Sequence, residues 1–546
     1  MKKYVLYLSL VVFIIGPAFL DSSGSKQFEI TKNLEIFANL YKELNTHYVD
    51  EVDPARLMRT GIESMLKTLD PYTNYISESD IESYRYMTDG KYDGIGANIR
   101  KMGDYATIVE PFEGGPAIRA GLRAGDMIVA VDGKSAKGKT ADEINDILRG
   151  YPGTNVILTM RRPNQQEDWD VSVERGEFTV KNVPYYGMID EEIGYIVLTT
   201  FTQNASRNVS NALKKLKEEH SSMKGLVFDL RNNGGGLLRE AINVSNIFTP
   251  KDEIIVTTKG KIKDRDRIYR STMQPVDQEI LLSVLINRYT ASASEIVSGV
   301  IQDYDRGIII GQRSYGKGLV QNTVDLEYNS KLKMTTAKYY IPSGRSIQSV
   351  QYDEGEPVDI PDSLRTNFTT RNGRKVLDGG GITPDFKIED QLQTPIIRFL
   401  LDKDLIFHYA THYHQKHPEI GQAVSYTFEE FDDFVEFLQN SALHFQTETE
   451  KYLEMMERAA EEENLTSVVS DDLESILAKI EKDKSDDLYQ NKQQIIALLE
   501  KEIVSRYYFQ TGRIEKSLTN DEEIRKAISV MKDETEFGKI LQSNSK

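Results

Sequence analysis

Ser292 lies in the run "RYTASASEIVSGV" of residues 288–300, directly before an apolar stretch with helical spacing. A serine at a helix start has its hydroxyl beside free backbone N–H groups and the positive end of the helix dipole. Ser-x-x-Glu, here Ser292 and Glu295, is also the pattern of a capping box, which needs no chemistry. The functional alternative is a serine nucleophile whose oxyanion is stabilised by backbone N–H groups, with Ala293 supplying one of them.

A serine nucleophile needs a neighbouring base. The seven histidines are residues 47, 220, 408, 412, 414, 417 and 444, so a Ser-His-Asp triad would have to recruit a distant segment. Lys317, in "GQRSYGKGLVQ", is the other candidate base, and burial would lower its pKa towards neutrality. Strand alternation predicts residues 317, 319 and 321 on one face, so that Gln321 hydrogen-bonds the lysine amine. The alternative is a solvated lysine in a turn.

Two glycine-rich stretches have competing interpretations. The segment "GLVFDLRNNGGGLLREAI" predicts a strand, a tight turn and a helix, and Gly235 or Gly236 could supply a second oxyanion donor. Gly311 to Lys317 matches a P-loop except for its last position, where Gly318 replaces the required Ser or Thr. A strand pattern follows instead of a helix, so the sequence argues against nucleotide binding.

These motifs, with "TTAKYYIPSGRSIQ" and "GGGITPD", resemble the carboxyl-terminal processing peptidases, also called tail-specific proteases, over about residues 30–390. The resemblance implies that Ser292 is the nucleophile, Lys317 the base and Gln321 its partner. It also gives Asp303 as an aspartate that is sometimes counted with the catalytic set, and we interpret Asp303 as a structural support. Gly234 departs from the family pattern, in which proline is common at this position.

Residues 86–176 have short β-rich runs divided by turns, typical of a small β-barrel. "YDGIGANI" followed by "GGPAIRAGLRAGDMIVAVDGKSA" resembles a PDZ domain of the bacterial protease type. The resemblance implies that the loop of Gly94, Ile95, Gly96 and Ala97 receives a free peptide C-terminus, and that the tail adds as a strand. An ordinary β-turn is the alternative. Arg149 is a candidate for coupling this domain to the active site.

The whole chain predicts a multi-domain α/β (α+β) protein. We expect a signal peptide or signal anchor at 1–24, a helical N-terminal region at 25–85 and a PDZ domain at 86–176. A Ser/Lys peptidase core follows at 177–390, and an all-helical C-terminal domain at 391–546. Lys2 and Lys3 precede an apolar run of 17 residues, which is the layout of an export signal. Export to the periplasm is therefore predicted, and cleavage or anchoring to the inner membrane both stay open.

Composition limits the other function classes. The formal charge of −18 opposes a nucleic-acid surface, and the absence of cysteine excludes thiolate metal sites. His408 and His412 have metal-ligand spacing without a supporting carboxylate motif, so no metal or cofactor is expected. The sequence predicts an exported serine endopeptidase whose substrates are protein tails with exposed apolar C-termini. The alternative is a PDZ scaffold with a vestigial protease core, and the oligomeric state stays open.

Overall fold

The computed structural model describes residues 22–81, 84, 88–165, 167–353, 356–359, 361–389, 394–440 and 448–542. The predicted export signal at 1–24 lies almost entirely outside these residues. The first described elements are helices α1 (Ser22–His47) and α2 (Pro54–Lys67) and the short strand β1 (Asn74–Ile76). Asp53 caps α2, because its side chain accepts from the N–H groups of Ala55 and Arg56. In the described part of the chain, no helix has the length and apolarity needed to cross a membrane.

A small β-domain follows, as the PDZ resemblance predicted. Its sheet has the order β3-β4-β5-β7-β8, with β6 paired to β5, and β2 pairs with β9 beside it. Thr140 and Glu143 form the predicted capping box of helix α4, which contacts β3. The elements are β2 (Lys91–Gly94), β3 (Ala97–Met102), β4 (Tyr105–Pro111), α3 (Pro116–Arg119), β5 (Met127–Val131), β6 (Lys134–Ser135), α4 (Ala141–Leu148), β7 (Asn155–Arg161), β8 (Trp169–Glu174) and β9 (Gly176–Thr179).

The core is an α/β unit built on a mainly parallel sheet of order β10-β11-β12-β15-β16-β23. Its strands and helices are β10 (Tyr185–Met188), β11 (Ile193–Val197), α5 (Ala205–Glu219), β12 (Gly225–Asp229), α6 (Leu238–Phe248), β13 (Ile254–Gly260), β14 (Arg267–Arg270), β15 (Leu281–Ile286), α7 (Ala293–Asp303), β16 (Ile308–Gly311), β17 (Leu319–Asp325), β18 (Lys331–Tyr340), β19 (Val350–Asp353), β20 (Glu356–Asp359), β21 (Asn367–Thr369), β22 (Lys375–Leu377) and β23 (Phe386–Lys387). Helices α5, α6 and α7 cover one sheet face, where Phe228 and Val284 are completely buried. A second, antiparallel sheet joins β1, β18, β13 and β14, and β17 pairs with β18.

The C-terminal region is helical, as predicted, and its last two helices pack against the core sheet. Its helices are α8 (Pro395–Asp402), α9 (Leu405–Lys416), α10 (Phe431–Asn440), α11 (Glu448–Glu462), α12 (Thr466–Gln490), α13 (Lys492–Leu518), α14 (Glu522–Lys532) and α15 (Glu534–Leu541). Ile524 and Phe537, on the last two helices, pack against Tyr195 and Leu285 on the second face of the core sheet. Parallel strands are apolar on both faces and must be buried on both. Helices α5, α6 and α7 bury the first face, and the C-terminal helices α14 and α15 help to bury the second.

The helical region also contacts the PDZ-like domain. The Arg100 guanidinium lies 2.5 Å from the Asp404 carboxylate, and Asn164 donates to Gln415 at 3.0 Å. A Cβ placed at Gly125 would lie 2.4 Å from the Thr411 side chain, so the two domains meet closely there. The PDZ-like domain is therefore connected to the rest of the molecule by more than its two chain crossings.

If α14 belongs to the core, Ile524→Ala should lower the free energy of unfolding by about 2–5 kcal/mol, because Ile524 is 2% exposed in the sheet contact. Ile476→Ala, on α12 and 41% exposed, makes the same change in helix propensity and is the matched control. Chemical denaturation followed by circular dichroism measures both. Equal losses would show that α14 does not stabilise the sheet.

Candidate active site

Ser292 directly precedes helix α7 and has an unusual backbone conformation. Its φ of 58° and ψ of −113° lie in a region that L-residues rarely occupy, so the surrounding structure must hold it there. The Ala291 N–H donates to the Asn233 carbonyl at 3.0 Å, which joins the helix start to the glycine-rich turn. Ser292 lines a cavity of about 480 Å³, a volume typical of ligand sites. A strained serine is therefore fixed at the wall of a cavity.

Glu295 connects this serine to the loop that carries Lys317. One carboxylate oxygen accepts from the N–H groups of Ser292 at 2.7 Å and Lys317 at 2.9 Å. The other accepts from the Ser314 hydroxyl at 2.5 Å and the Gly316 N–H at 2.6 Å. The side chain is completely buried, and burial raises the pKa of Glu295 to about 7, although these hydrogen bonds oppose the rise. The predicted cap of α7 thus also fixes a distant loop.

Lys317 lines the same cavity, and its surroundings favour the neutral amine. Burial is the largest cause that lowers the pKa of Lys317 to about 8, and the nearby Lys333 ammonium lowers it further. The carboxylates of Glu295 and Asp70 act in the opposite direction. The ammonium also lies 4.2 Å from the ring centroid of Tyr72, contributed by the N-terminal region. A useful fraction of Lys317 is therefore unprotonated near neutral pH, as a general base requires.

Tyr339 contacts the backbones of both Ser292 and Lys317. Its hydroxyl donates to the Lys317 carbonyl oxygen and lies 3.1 Å from the Ser292 carbonyl oxygen. Burial raises the pKa of Tyr339 well above its usual value, so the hydroxyl keeps its proton. Nothing in the sequence pattern distinguished Tyr339 from other strand tyrosines.

Gln321 lines the cavity, but the predicted hydrogen bond to the Lys317 amine is not found among the described residues. Its amide instead donates to the Thr335 hydroxyl at 3.1 Å. Lys317, Leu319 and Gln321 all line the cavity, as alternation predicted, although β17 begins only at Leu319 and its pairing register shifts between Val320 and Gln321. Gln321 and Lys317 therefore line the same cavity without a hydrogen bond between their described side chains.

The glycine-rich turn lies against the start of α7. A Cβ at Gly235 would lie 2.9 Å from the Ala293 nitrogen, and one at Gly236 would lie 2.5 Å from the Phe201 oxygen, so glycine is required at both positions. The Gly235 N–H already donates to the Asn233 side chain at 2.9 Å. Among the described residues, the N–H groups of Ala293 and Gly236 have no acceptor. Of the two glycines, Gly236 is thus the one with a free donor.

Asp303 lies at the other end of α7, about 15 Å of helix from Ser292. Its carboxylate pairs with Arg345 at 2.9 Å and accepts from the Ser343 N–H at 2.9 Å. Burial raises the pKa of Asp303, against the effect of Arg345. The residue does not line the cavity, and its contacts support the 343–345 turn.

The PDZ-like loop has free donors where a carboxylate would bind. The carbonyls of Ile95 and Gly96 accept from Ala117 and Phe112, whereas the N–H groups of Ile95 and Gly96 have no acceptor in the described structure. Gly94 ends β2, and Ala97 begins β3, which is an edge strand of its sheet. The loop therefore adjoins a free strand edge to which a peptide could add.

The role of Arg149 in coupling the PDZ-like domain to the active site stays a prediction. Its guanidinium pairs with Asp146 at 2.8 Å, one turn earlier in the same helix. The two chain crossings at the ends of the PDZ-like domain reach the cavity, through Gly90 on one side and Val180 on the other. The described residues also contain no cluster of side chains suited to a metal ion.

Comparison with known families agrees with this organisation. Residues 192–355 match the model of "Peptidase family S41", residues 107–162 that of "PDZ domain", and residues 396–531 that of "Probable PDZ-protease, C-terminal helical domain". A "Carboxy-terminal-processing protease" of Bartonella bacilliformis is 35% identical over 62% of this chain and 80% of that protein. A "Probable CtpA-like serine protease" of Staphylococcus aureus is 34% identical over 65% of this chain and 71% of that protein.

Solved structures give related matches. A photosystem II D1 C-terminal processing protease is 27% identical and covers 65% of this chain and 93% of its own, with a TM-score of 0.37. The PDZ domain of a carboxy-terminal protease from Vibrio cholerae, in complex with a peptide, is 26% identical and covers 16% of this chain and 99% of its own, with a TM-score of 0.16.

If Glu295 holds both loops, Glu295→Gln should lower the free energy of unfolding by about 1–3 kcal/mol, because the amide has one acceptor oxygen for four donors. Hydrolysis of an unfolded protein substrate, measured per folded molecule, should fall by roughly 100-fold as Ser292 and Lys317 shift.

Glu240→Gln is the matched control, since Glu240 is a buried helix carboxylate that accepts from the N–H and hydroxyl of Ser206. It should lose stability and retain hydrolysis. Full hydrolysis by Glu295→Gln would show that the carboxylate has no positioning role.

Proposed function

The chain belongs to the carboxyl-terminal processing proteases of peptidase family S41, and on this premise we propose that it cleaves protein tails with a Ser292/Lys317 dyad after its PDZ domain has captured them. The observation that carries the proposal is the Glu295 carboxylate. It hydrogen-bonds the backbones of both dyad residues at the wall of one cavity. This arrangement supports a serine and a lysine that act on the same substrate atom.

In the acylation step, the neutral Lys317 amine takes the Ser292 hydroxyl proton while Oγ attacks the carbonyl carbon of the scissile peptide. The developing oxyanion accepts from the N–H groups of Ala293 and Gly236. Collapse of the tetrahedral intermediate breaks the C–N bond, and Lys317 returns the proton to the leaving amine. An ester between Ser292 and the N-terminal part of the substrate remains.

In the deacylation step, Lys317 takes a proton from a water molecule as its oxygen attacks the ester carbonyl. Collapse then breaks the bond to Ser292 Oγ, which regains its proton from Lys317, and the new carboxyl terminus leaves. Gln321 acts in this scheme as a wall of the cavity, oriented by Thr335. Each step uses groups of this chain and water alone.

Capture of the tail is assigned to the loop of residues 94–97. The free N–H groups of Ile95 and Gly96 would bind the terminal carboxylate, and the tail would pair with the edge of β3. An apolar last residue would then occupy the space beside the loop. Because both crossings from the PDZ domain line the cavity, the captured chain is delivered close to Ser292. The N-terminal sequence further supports export of the protein to the periplasm.

Substitution of the dyad tests the proposal. On an unfolded protein with an apolar C-terminus, Ser292→Ala and Lys317→Ala should each lower kcat by at least about 1,000-fold, because either change removes the nucleophilic pathway. Ser298→Ala is the matched control on the same helix, where the Ser298 hydroxyl donates to the backbone carbonyls of Ser294 and Glu295. Cleavage by mass spectrometry should persist in the control. Equal cleavage by all four proteins would overturn the dyad, and none by the wild type would favour a binding scaffold.

A further inference from the structure

The cavity at Ser292 has a charge opposite to that of the chain. The protein carries a formal charge of −18, yet the described residues that line the cavity include two lysines, Lys317 and Lys333, and no aspartate or glutamate. A cavity with charges of one sign attracts ligands of the other sign. Lys317 is occupied by the proposed proton transfers, so Lys333 needs a separate explanation.

Lys333 lies on β18, opposite Thr323 of β17 and Asn74 of β1. Thr323 also lines the cavity, and its hydroxyl accepts a hydrogen bond from the Tyr84 hydroxyl at 3.0 Å. Within the described structure, the Lys333 ammonium has neither a hydrogen bond nor an ion pair. Lys331, two residues earlier on the same strand, pairs with Asp325. Burial of a charged ammonium costs free energy, and in this cavity no described carboxylate offsets that cost for Lys333.

We propose that Lys333 is a specificity residue that binds a carboxylate of the substrate, either an acidic side chain near the cleaved bond or the terminus of a short tail. The proposal rests on the proposed function, because it concerns the peptide that Ser292 would cleave. A substrate carboxylate would supply the missing counter-charge in a partly desolvated site, where an ion pair is stronger than at the surface. The substrate class is therefore an unfolded tail with an anionic group beside the scissile bond.

Occupation of Lys333 has a consequence for the base. The Lys333 ammonium lowers the pKa of Lys317, so a carboxylate paired with Lys333 would offset that repulsion and raise the pKa of Lys317. Among the described residues, the other titratable groups around the two lysines are Glu295 on α7, Asp70 and Tyr72 from the N-terminal region, Tyr84 before the PDZ domain and Tyr339 on β18. None of them changes with the substrate. An acidic substrate should thus need a higher pH for full kcat than a neutral one.

The test uses peptides in which a single Asp or Asn is moved through the positions on either side of the cleaved bond, each with a free or an amidated terminus. For one position or for the free terminus, wild-type kcat/KM should favour the carboxylate over its amide by about 3- to 10-fold. The Lys333→Met variant should lose that preference but should still cleave the peptide that carries Asn and an amidated terminus. Lys338→Met, an exposed lysine of the same strand, is the matched control and should keep the preference.

The pH profiles provide a second readout that a structural role would not change. In the wild type, the midpoint of kcat should lie at higher pH for the preferred acidic peptide than for its amide, and in Lys333→Met the two midpoints should coincide. The proposal is overturned if the wild type shows no carboxylate preference, or if Lys333→Met retains it. Cleavage of the neutral peptide by the wild type tests the proposed function separately, since it does not need Lys333.

Discussion

The buried Glu295 carboxylate is the interaction on which the active-site arrangement depends. A carboxylate without solvent is costly to ionise, and here four donors from two chain segments, the start of α7 and the 314–317 loop, offset that cost. Because each oxygen has two donors, the carboxylate fixes the relative position of Ser292, Ser314 and Lys317. Lys317 is therefore positioned through its backbone, and its side chain stays free to exchange protons.

This carboxylate can be buried only because helix α7 lies in the middle of the protein. Every residue from Ala293 to Asp303 is buried, with the core sheet and the second sheet around the helix. Asp303 and Arg345 hold its far end, whereas Asn233 and the glycine turn hold its start. The strained φ of Ser292 persists because both ends of the helix are restrained, so the strain cannot relax by rotation of the helix.

Sequence patterns predicted those parts of this site that depend on local geometry. The Ser-x-x-Glu pattern indicated the helix start through hydrogen bonds to free N–H groups, and the three glycines indicated a turn with close backbone approach through steric rules. Long-range contacts could not be predicted in this way. They include the hydrogen bonds from the 314–317 loop to Glu295, those of the Tyr339 hydroxyl, and the position of Lys333 in the cavity. Each depends on how distant segments pack around α7. Alternation predicted that Gln321 lies near Lys317, and both line the cavity, but the hydrogen bond from Gln321 to Thr335 depends on how β17 pairs with β18. The sequences of helices α14 and α15 have the same helical pattern as the preceding C-terminal helices. Their packing on the core sheet follows from the apolar second face of that sheet, which the sequence pattern of the helices does not reveal.

The most direct measurement of the central claim is the pH dependence of covalent attack by Ser292. A fluorophosphonate forms a bond to the serine oxygen and releases fluoride, and mass spectrometry locates the adduct on the chain. If Lys317 in this buried site removes the hydroxyl proton, the rate of Ser292 modification should rise with pH, because the amine must be neutral, with a midpoint near the Lys317 pKa of about 8. Lys317→Ala should remove that dependence. A midpoint near the ordinary lysine value of about 10.4, or a rate that is unchanged in Lys317→Ala, would contradict the account.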